Sequence, residues 1–212
     1  MKSYTMKTFT ILTACLLFIN FHLVSQLDDL DYEPKGPIFQ RSNNFEQGLI
    51  VTGSYGWRKN HASLNGELGY RFPKGFEIAI GTGAHGNQLL LPINNSEETV
   101  MVTSTPVYLS GKYFFVNGWL MPYAKVAAGY GSYNNSVNEN LNEINSSYML
   151  EAGLGLTLKT SRKMNYFFEV NQYNLKTNGS QTSVVGGNDI NYSIWFNRVT
   201  FRIGVTRYLF KF

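Results

Sequence analysis

Histidine is the residue type in this sequence best suited to acid–base or nucleophilic chemistry, and three occur, at His22, His61 and His85. His61 lies at a predicted hairpin tip. His85 ends a predicted strand and could meet Ser104 or an acidic loop residue, and a histidine beside a serine can activate its hydroxyl as a nucleophile. Two histidines without a cluster of further metal-binding residues make a poor metal site. We therefore interpret His61 and His85 as polar residues on the extracellular surface, and we expect no enzyme activity, cofactor or metal.

The glycine spacings do not form a phosphate-binding motif. Neither Gly83 with Gly86 nor Gly129 with Gly131 is followed by a helical pattern, which a phosphate loop requires. The formal net charge is +4, and the basic residues are scattered rather than gathered in a run or stripe. A nucleic-acid footprint is therefore absent, and we expect no nucleic-acid partner.

Charged residues instead collect on one face of a repeated two-residue pattern. From position 62 to 72 every second residue is apolar or small and the residues between are mostly polar, which is typical of a β-strand with two different faces. Across the chain, four acids and five bases share the polar face. They are Glu67, Arg71, Glu77, Lys112, Lys125, Glu151, Glu169, Arg198 and Arg202.

This charged face fits two kinds of barrel. A barrel in water places such charges outside, whereas a small membrane barrel places them inside, where opposite charges can pair. The sequence permits either, but tyrosines and tryptophans near the strand ends are typical of membrane interfaces. Because the lumen of eight strands is just wide enough to be filled by side chains, we expect paired charges to plug it. A narrow polar channel is the alternative.

The alternation recurs often enough to predict eight strands, and an eight-stranded antiparallel up-and-down transmembrane β-barrel of the all-β class. The strands are predicted at 47–58, 62–72, 75–85, 99–115, 120–131, 148–158, 164–175 and from about 194. Pro106 predicts a bulge or local break in the fourth strand, because proline donates no ladder bond. Links after strands two, four and six are short, whereas those after three, five and seven are longer and polar, notably 134–147 and 176–191. This asymmetry is typical of outer-membrane barrels, with the short turns in the periplasm.

The N-terminal region predicts export. Residues 1–25 combine Lys2 and Lys7 with an interrupted apolar stretch and a small residue, Ser25, which is the layout of a signal peptide. Cys15, the only cysteine, lies inside it, so we expect no disulfide. Residues 26–45 read as a periplasmic leader, and residues 46–212 as the barrel. After residue 25 the apolar runs are too short for a transmembrane helix.

Two consecutive segments resemble the small outer-membrane β-barrel proteins of Gram-negative bacteria. Residues 106–115, PVYLSGKYFF, are similar to the family's proline-led strand ending in lysine and aromatics, and residues 121–131, MPYAKVAAGYG, are similar to its next strand. The chain ends in Phe212, as family members commonly do. The resemblance covers about 45–212 and implies a location in the cell outer membrane, in contact with its lipid and lipopolysaccharide.

The resemblance also implies that the barrel-assembly machinery reads the C-terminal aromatics Tyr208, Phe210 and Phe212. These occupy even positions, whereas the apolar phase of the last strand uses odd positions through Val205. Either a bulge near 206–207 resets the register, or the strand ends early.

The function that we predict is non-enzymatic. The barrel would be structural, or would bind a partner or a surface through its long loops, since rigid barrels display function on loops. An extracellular or secretion-complex partner would fit this role. A small channel is one alternative. The other is a rim-located lipid-modifying enzyme using His85, because some barrels that resemble this one in size modify lipids.

Overall fold

The computed structural model describes Ile38 and residues 45–93, 96–134, 144–182 and 189–212. The predicted signal peptide and all of the predicted leader except Ile38 and Phe45 lie outside these residues. Within the described ranges, no helix is long and apolar enough to cross a membrane.

Eight strands close into one barrel, which confirms the predicted architecture. Each strand pairs antiparallel with the next in sequence, and β1 pairs with β8 to close the sheet. The strands are β1 Gly48–Arg58, β2 His61–Arg71, β3 Phe76–Ile93, β4 Ser96–Phe114, β5 Leu120–Asn134, β6 Ile144–Lys159, β7 Met164–Thr182 and β8 Asp189–Lys211.

The apolar face of each strand points outward. Along β2 buried and exposed residues alternate, and Leu68 on its apolar face is 55% exposed. The same face exposes Ile80 by 65%, Val126 by 62% and Leu154 by 65%. A belt of large apolar side chains around the whole barrel would be unfavourable in water and is favourable in lipid. This belt decides between the two kinds of barrel that the sequence permits.

Two hairpins extend further than the alternation predicts. β3 and β4 stay paired up to Ile93 and Ser96, and β7 and β8 up to Thr182 and Asp189. The predicted long links after strands three and seven are therefore mostly strand, and this part of the prediction is wrong. Neither the leucine run at 89–91 nor the polar residues at 176–182 alternate with a period of two, so the alternation did not reveal these strands. Backbone ladder bonds do not depend on that alternation.

The link between β1 and β2 is a two-residue turn, Lys59 and Asn60, and Asn60 has a φ of 68°. Asparagine tolerates this left-handed conformation better than most residues other than glycine. His61 is thereby the first residue of β2 and not part of the tip. This corrects the position predicted for it.

Pro106 interrupts the ladder between β3 and β4, as predicted. Thr82 pairs with Val107 and His85 pairs with Ser104, but the two positions between them are unpaired. The Thr82 hydroxyl donates to the Pro106 carbonyl at 2.9 Å. The register is the same on both sides, so the proline produces a local break without a bulge.

A bulge does occur in β8, close to its end. Leu49 pairs with Phe210 and Ile50 pairs with Tyr208, which leaves Leu209 as the extra residue. The sequence predicted the register change near 206–207, a few positions too early. Thr206 still continues the inward phase, since its hydroxyl lies 3.0 Å from that of the inward-facing Thr52.

Candidate functional site in the barrel lumen

All nine charged residues predicted for the lumen lie in the inward phase of their strands. Eight of them are at most 4% exposed. They are Glu67, Arg71, Glu77, Lys112, Lys125, Glu151, Glu169 and Arg202. Arg198 is half-buried and lies nearer than Arg202 to the long-hairpin end of β8, opposite Tyr173 of β7. We call the eight buried residues the lumen network.

The centre of the lumen network joins five strands, β2, β5, β6, β7 and β8. Arg202 donates from Nη1 and Nη2 to the two carboxylate oxygens of Glu151, both at 2.7 Å, and from Nη1 to Glu169 at 3.1 Å. The Lys125 ammonium lies 2.8 Å from Glu67, 3.5 Å from Glu151 and 3.8 Å from Glu169. Two cations and three carboxylates therefore share one buried cluster.

A second branch leads toward the end of the barrel with the short turns. Lys112 lies 3.5 Å from Glu67 and 3.0 Å from Glu77, so it links the centre to this branch. Arg71 donates to Glu77 from Nε at 3.0 Å and from Nη2 at 2.8 Å. Its guanidinium also lies over the Phe114 ring, 4.3 Å from the centroid.

Neutral side chains also donate hydrogen bonds to the carboxylates of the lumen network, and these side chains were not predicted from the sequence. The Tyr123 hydroxyl donates to Glu169 at 2.7 Å, and the Tyr108 hydroxyl donates to Glu67 at 3.1 Å. The Asn171 amide donates to Glu169 at 2.8 Å. These residues also lie in the inward phase of their strands, but only charged residues were predicted for the lumen.

The lumen network contains four carboxylates and four cations, so its formal charge is zero. Removing a charge from water carries a large free-energy penalty, which close opposite charges and additional hydrogen bonds offset. Contacts such as that between Lys125 of β5 and Glu67 of β2 also run across the lumen between non-adjacent strands. The arrangement therefore suits a plugged barrel.

An apolar cluster closes the end with the short turns. Phe45 packs with Phe114, Met121, Tyr123 and Phe167, all at most 8% exposed. The Phe45 backbone N–H donates to the Pro73 carbonyl at 2.8 Å. A Cβ on Gly75, whose φ is 78°, would lie 2.7 Å from the Phe45 ring, so the turn and the ring are closely fitted.

Glu46 anchors the same end through two lysines. Its carboxylate pairs with Lys159, the last residue of β6, and with Lys211 of β8, the latter at 2.7 Å. Burial raises the pKa of Glu46, but hydrogen bonds and charge attraction from Lys159 and Lys211 outweigh burial and hold that pKa below its ordinary value. Thus Glu46, the first residue of the predicted barrel, ties the segment just before β1 to β6 and β8.

The opposite end of the lumen holds both histidines. His85 is 1% exposed and His61 is 6% exposed, so neither is the surface residue that the sequence predicted. The alternation of β2 and β3 turns both inward, because residues 61 and 85 share the phases of Glu67 and Glu77. His85 pairs across the ladder with Ser104, which is also 1% exposed. The structure thus brings His85 and Ser104 together inside the barrel rather than at its rim.

The three C-terminal aromatics do not share one face. Tyr208 is 2% exposed and points into the lumen, where Arg71 donates to its hydroxyl at 2.8 Å. Phe210 and Phe212 are 64% and 77% exposed. The bulge at Leu209 causes this division, because it moves the even positions after it to the outside. A role of these residues in assembly stays a prediction.

Among the described residues, no group of three or more His, Cys, Asp or Glu is placed to hold a metal ion.

The belt and the filled polar lumen define the class of the protein: it is a transmembrane β-barrel of the small eight-stranded type. Its fold is that of outer-membrane barrels, and the lipid-facing belt fits a location in the cell outer membrane. No family model matches the sequence. No curated protein matches it either.

Solved structures are similar in fold at low sequence identity. OprG from Pseudomonas aeruginosa is 12% identical, with 80% of this chain and 98% of that chain covered and a TM-score of 0.59. AlkL, determined in lipid bilayers, is 15% identical, with 85% and 98% covered and a TM-score of 0.53. The N-terminal barrel domain of OprF from P. aeruginosa is 12% identical, with 77% and 98% covered and a TM-score of 0.50.

Proposed function

We propose that this protein is a non-conducting, non-enzymatic outer-membrane barrel that binds an extracellular or secretion-complex partner through its long-hairpin end. The observation that carries the proposal is the filled lumen. The lumen network occupies the middle of the barrel, with the Phe45 cluster below it and the two histidines above it.

The packing of the lumen network argues against a channel. A pore that conducts ions needs polar groups that exchange partners with passing ions and water. Here the Arg202–Glu151 pair and the Lys125–Glu67 pair are at most 4% exposed and hold each other at hydrogen-bond distance. Opening a path would separate buried opposite charges, which costs several kcal/mol for each pair.

The position of Ser104 and His85 argues against a lipid-modifying enzyme at the rim. A catalytic serine must reach the reacting carbonyl of its substrate, and both side chains point into the barrel with 1% exposure. A closed barrel with buried lumen side chains best supports a function in binding through the arms of the β3–β4 and β7–β8 hairpins.

Conductance and crosslinking test the two parts of the proposal. The purified protein in planar lipid bilayers should give negligible current, and stable open-channel currents would overturn the plugged lumen. A photo-crosslinking residue at 92 or 97 in intact cells should capture a discrete partner, whereas the same residue at 117, in a short turn, should not. Capture of lipopolysaccharide alone at both 92 and 97 would count against partner binding.

A further inference from the structure

Four inward side chains form a small polar cup above the lumen network. His61 and Asn65 come from β2, His85 from β3 and Ser104 from β4, and all are at most 6% exposed. Tyr173 of β7 closes the cup, with its ring 5.6 Å from the His85 ring and 5.8 Å from the His61 ring. We call these residues the histidine cup.

Asn65 fixes the orientation of the His85 ring. Its Oδ1 atom lies 2.7 Å from Nε2 of His85. An amide oxygen only accepts hydrogen bonds, so Nε2 carries the proton. In the neutral ring the other nitrogen, Nδ1, then presents a lone pair. Histidines that bind metals are held in the same way, with one nitrogen donating to an oxygen and the other free to coordinate.

The lone pair of His85 has no partner within the described part of the chain. Nδ1 is buried without a hydrogen bond there, and so is the hydroxyl oxygen of Ser104. Buried polar atoms without partners are uncommon in native structures and call for an explanation such as a bound water or ion. Since His85 and Ser104 are direct ladder partners, one occupant could contact both.

The His61 ring lies beside the His85 ring and is the candidate for a second imidazole ligand. The ring centroids of His61 and His85 are 5.7 Å apart, and the planes are nearly perpendicular at 85°. Metal–nitrogen distances of about 2.0–2.1 Å place two imidazole centroids on one ion about 5 Å apart, which is close to this separation. Arg202 of the lumen network is already engaged by Glu151 and Glu169.

We propose that the histidine cup binds a divalent transition-metal ion through His61 and Nδ1 of His85, with oxygen donors such as Ser104 or water completing the coordination. Imidazole with oxygen ligands suits Zn²⁺ and Cu²⁺, and Cu²⁺ should bind more tightly. A bound ion would tie β2 to β3 at the top of the lumen.

Metal binding to the untagged protein tests this site. His61 and His85 are the only histidines after the predicted signal peptide, so an untagged protein carries no others to compete. Titration with Cu²⁺ or Zn²⁺ alone should show one ion per barrel, and the electron paramagnetic resonance spectrum of bound Cu²⁺ should show nitrogen coupling. His85→Gln should weaken binding at least about tenfold.

Variants of Asn65 separate a metal site from a merely structural cluster. Asn65→Ala removes the acceptor for Nε2 and should weaken binding by about 10-fold to 100-fold. Asn65→Asp keeps an acceptor and should bind at least as tightly as the wild type. Ser110→Ala, a lumen serine bonded to the Ala79 carbonyl, is the matched control and should bind normally.

Heat-modifiable gel migration checks that each variant is folded before titration. No bound ion in the wild type, or equal affinity in wild type and folded His85→Gln, would overturn the proposal and leave a buried water as the occupant. If His85→Gln does not fold, then equal affinity of Asn65→Ala and Asn65→Asp would overturn it. The proposal does not depend on the partner-binding function.

Discussion

Arg202 of β8 and Glu151 of β6 meet across the lumen through two parallel hydrogen bonds of 2.7 Å, although β7 separates their strands. Ladder bonds hold only neighbouring strands together. The Arg202–Glu151 pair therefore adds a constraint that the ladder does not provide, because it links β6 to β8 through the lumen. Paired, planar geometry of this kind is the strongest that an arginine and a carboxylate can form.

Removing one partner of this pair should be strongly destabilising. Glu151→Gln leaves the buried guanidinium of Arg202 with one fewer negative charge, and we expect the free energy of unfolding to fall by about 3–5 kcal/mol. Urea unfolding in detergent micelles, followed by tryptophan fluorescence, measures this. The double variant Glu151→Met with Arg202→Met removes both charges and should recover most of the loss. Equal stability of Glu151→Gln and the wild type would contradict the prediction.

The alternation of the sequence predicted which face each charged residue occupies, but it did not predict the pairs. Glu67 and Arg71 could be assigned to the lumen because side chains alternate with a period of two. Lys125, the partner of Glu67, lies 58 positions away and reaches it only across the closed barrel. Glu77 instead faces Arg71 directly across the β2–β3 hairpin.

Local irregularities of the fold were harder to locate. Pro106 predicted the break in its ladder because proline lacks an N–H, whereas no residue type marks the bulge at Leu209. His85 was misplaced for a different reason. Its strand continues to Ile93 through three successive leucines, which break the two-residue alternation, so the residue appeared to lie at an exposed end.

Tyr123 packs over Gly155, its ladder partner on β6, and the fit leaves no room for a larger residue. A Cβ on Gly155 would lie 2.3 Å from the Tyr123 ring. Gly155→Ala should therefore lower the free energy of unfolding by about 1–3 kcal/mol through overpacking. Gly66→Ala is the matched control, because a Cβ there meets nothing within 4 Å. Urea midpoints of the two variants should differ clearly, and equal midpoints would show that Tyr123 moves aside freely.

Phe45 should contribute to stability even though it precedes the first strand. Its ring is 8% exposed and packs 6.2 Å from the Phe114 ring, centroid to centroid. Phe45→Ala should lower the free energy of unfolding by about 3 kcal/mol, the low end for a buried phenylalanine, since it lies at an opening of the barrel. Phe45→Leu should lose much less, and limited proteolysis should cut the Phe45→Ala variant faster before residue 46.

If Phe45→Ala and Phe45→Leu unfold at the same urea concentration as the wild type, then residues before Glu46 merely lie near the barrel. Conductance gives a separate reading of the same variant. The lumen network lies above the Phe45 cluster, so Phe45→Ala should still show negligible current in planar bilayers. Open-channel currents in this variant would mean that Phe45, and not the buried charges, closes the lumen.

Glu46 should give the barrel a pH-dependent stability. Its folded-state pKa is lowered, so the charged carboxylate stabilises the fold at pH values above the unfolded-state pKa of about 4.3. That contribution is lost as the pH falls through the folded-state pKa. Because the three side chains are partly exposed, we expect it to be about 1 kcal/mol or less.

Glu46→Gln tests this directly, since glutamine keeps the size of the side chain and does not ionise. At neutral pH the variant should unfold at a lower urea concentration than the wild type. The difference should shrink as the pH falls below about 4 and vanish once Glu46 is protonated in the folded wild type as well. Lys159→Met should reproduce the neutral-pH loss, whereas Lys74→Met, in an exposed turn, should not. A difference between Glu46→Gln and the wild type that is constant at every pH would assign the effect to packing at the rim rather than to the charge of Glu46.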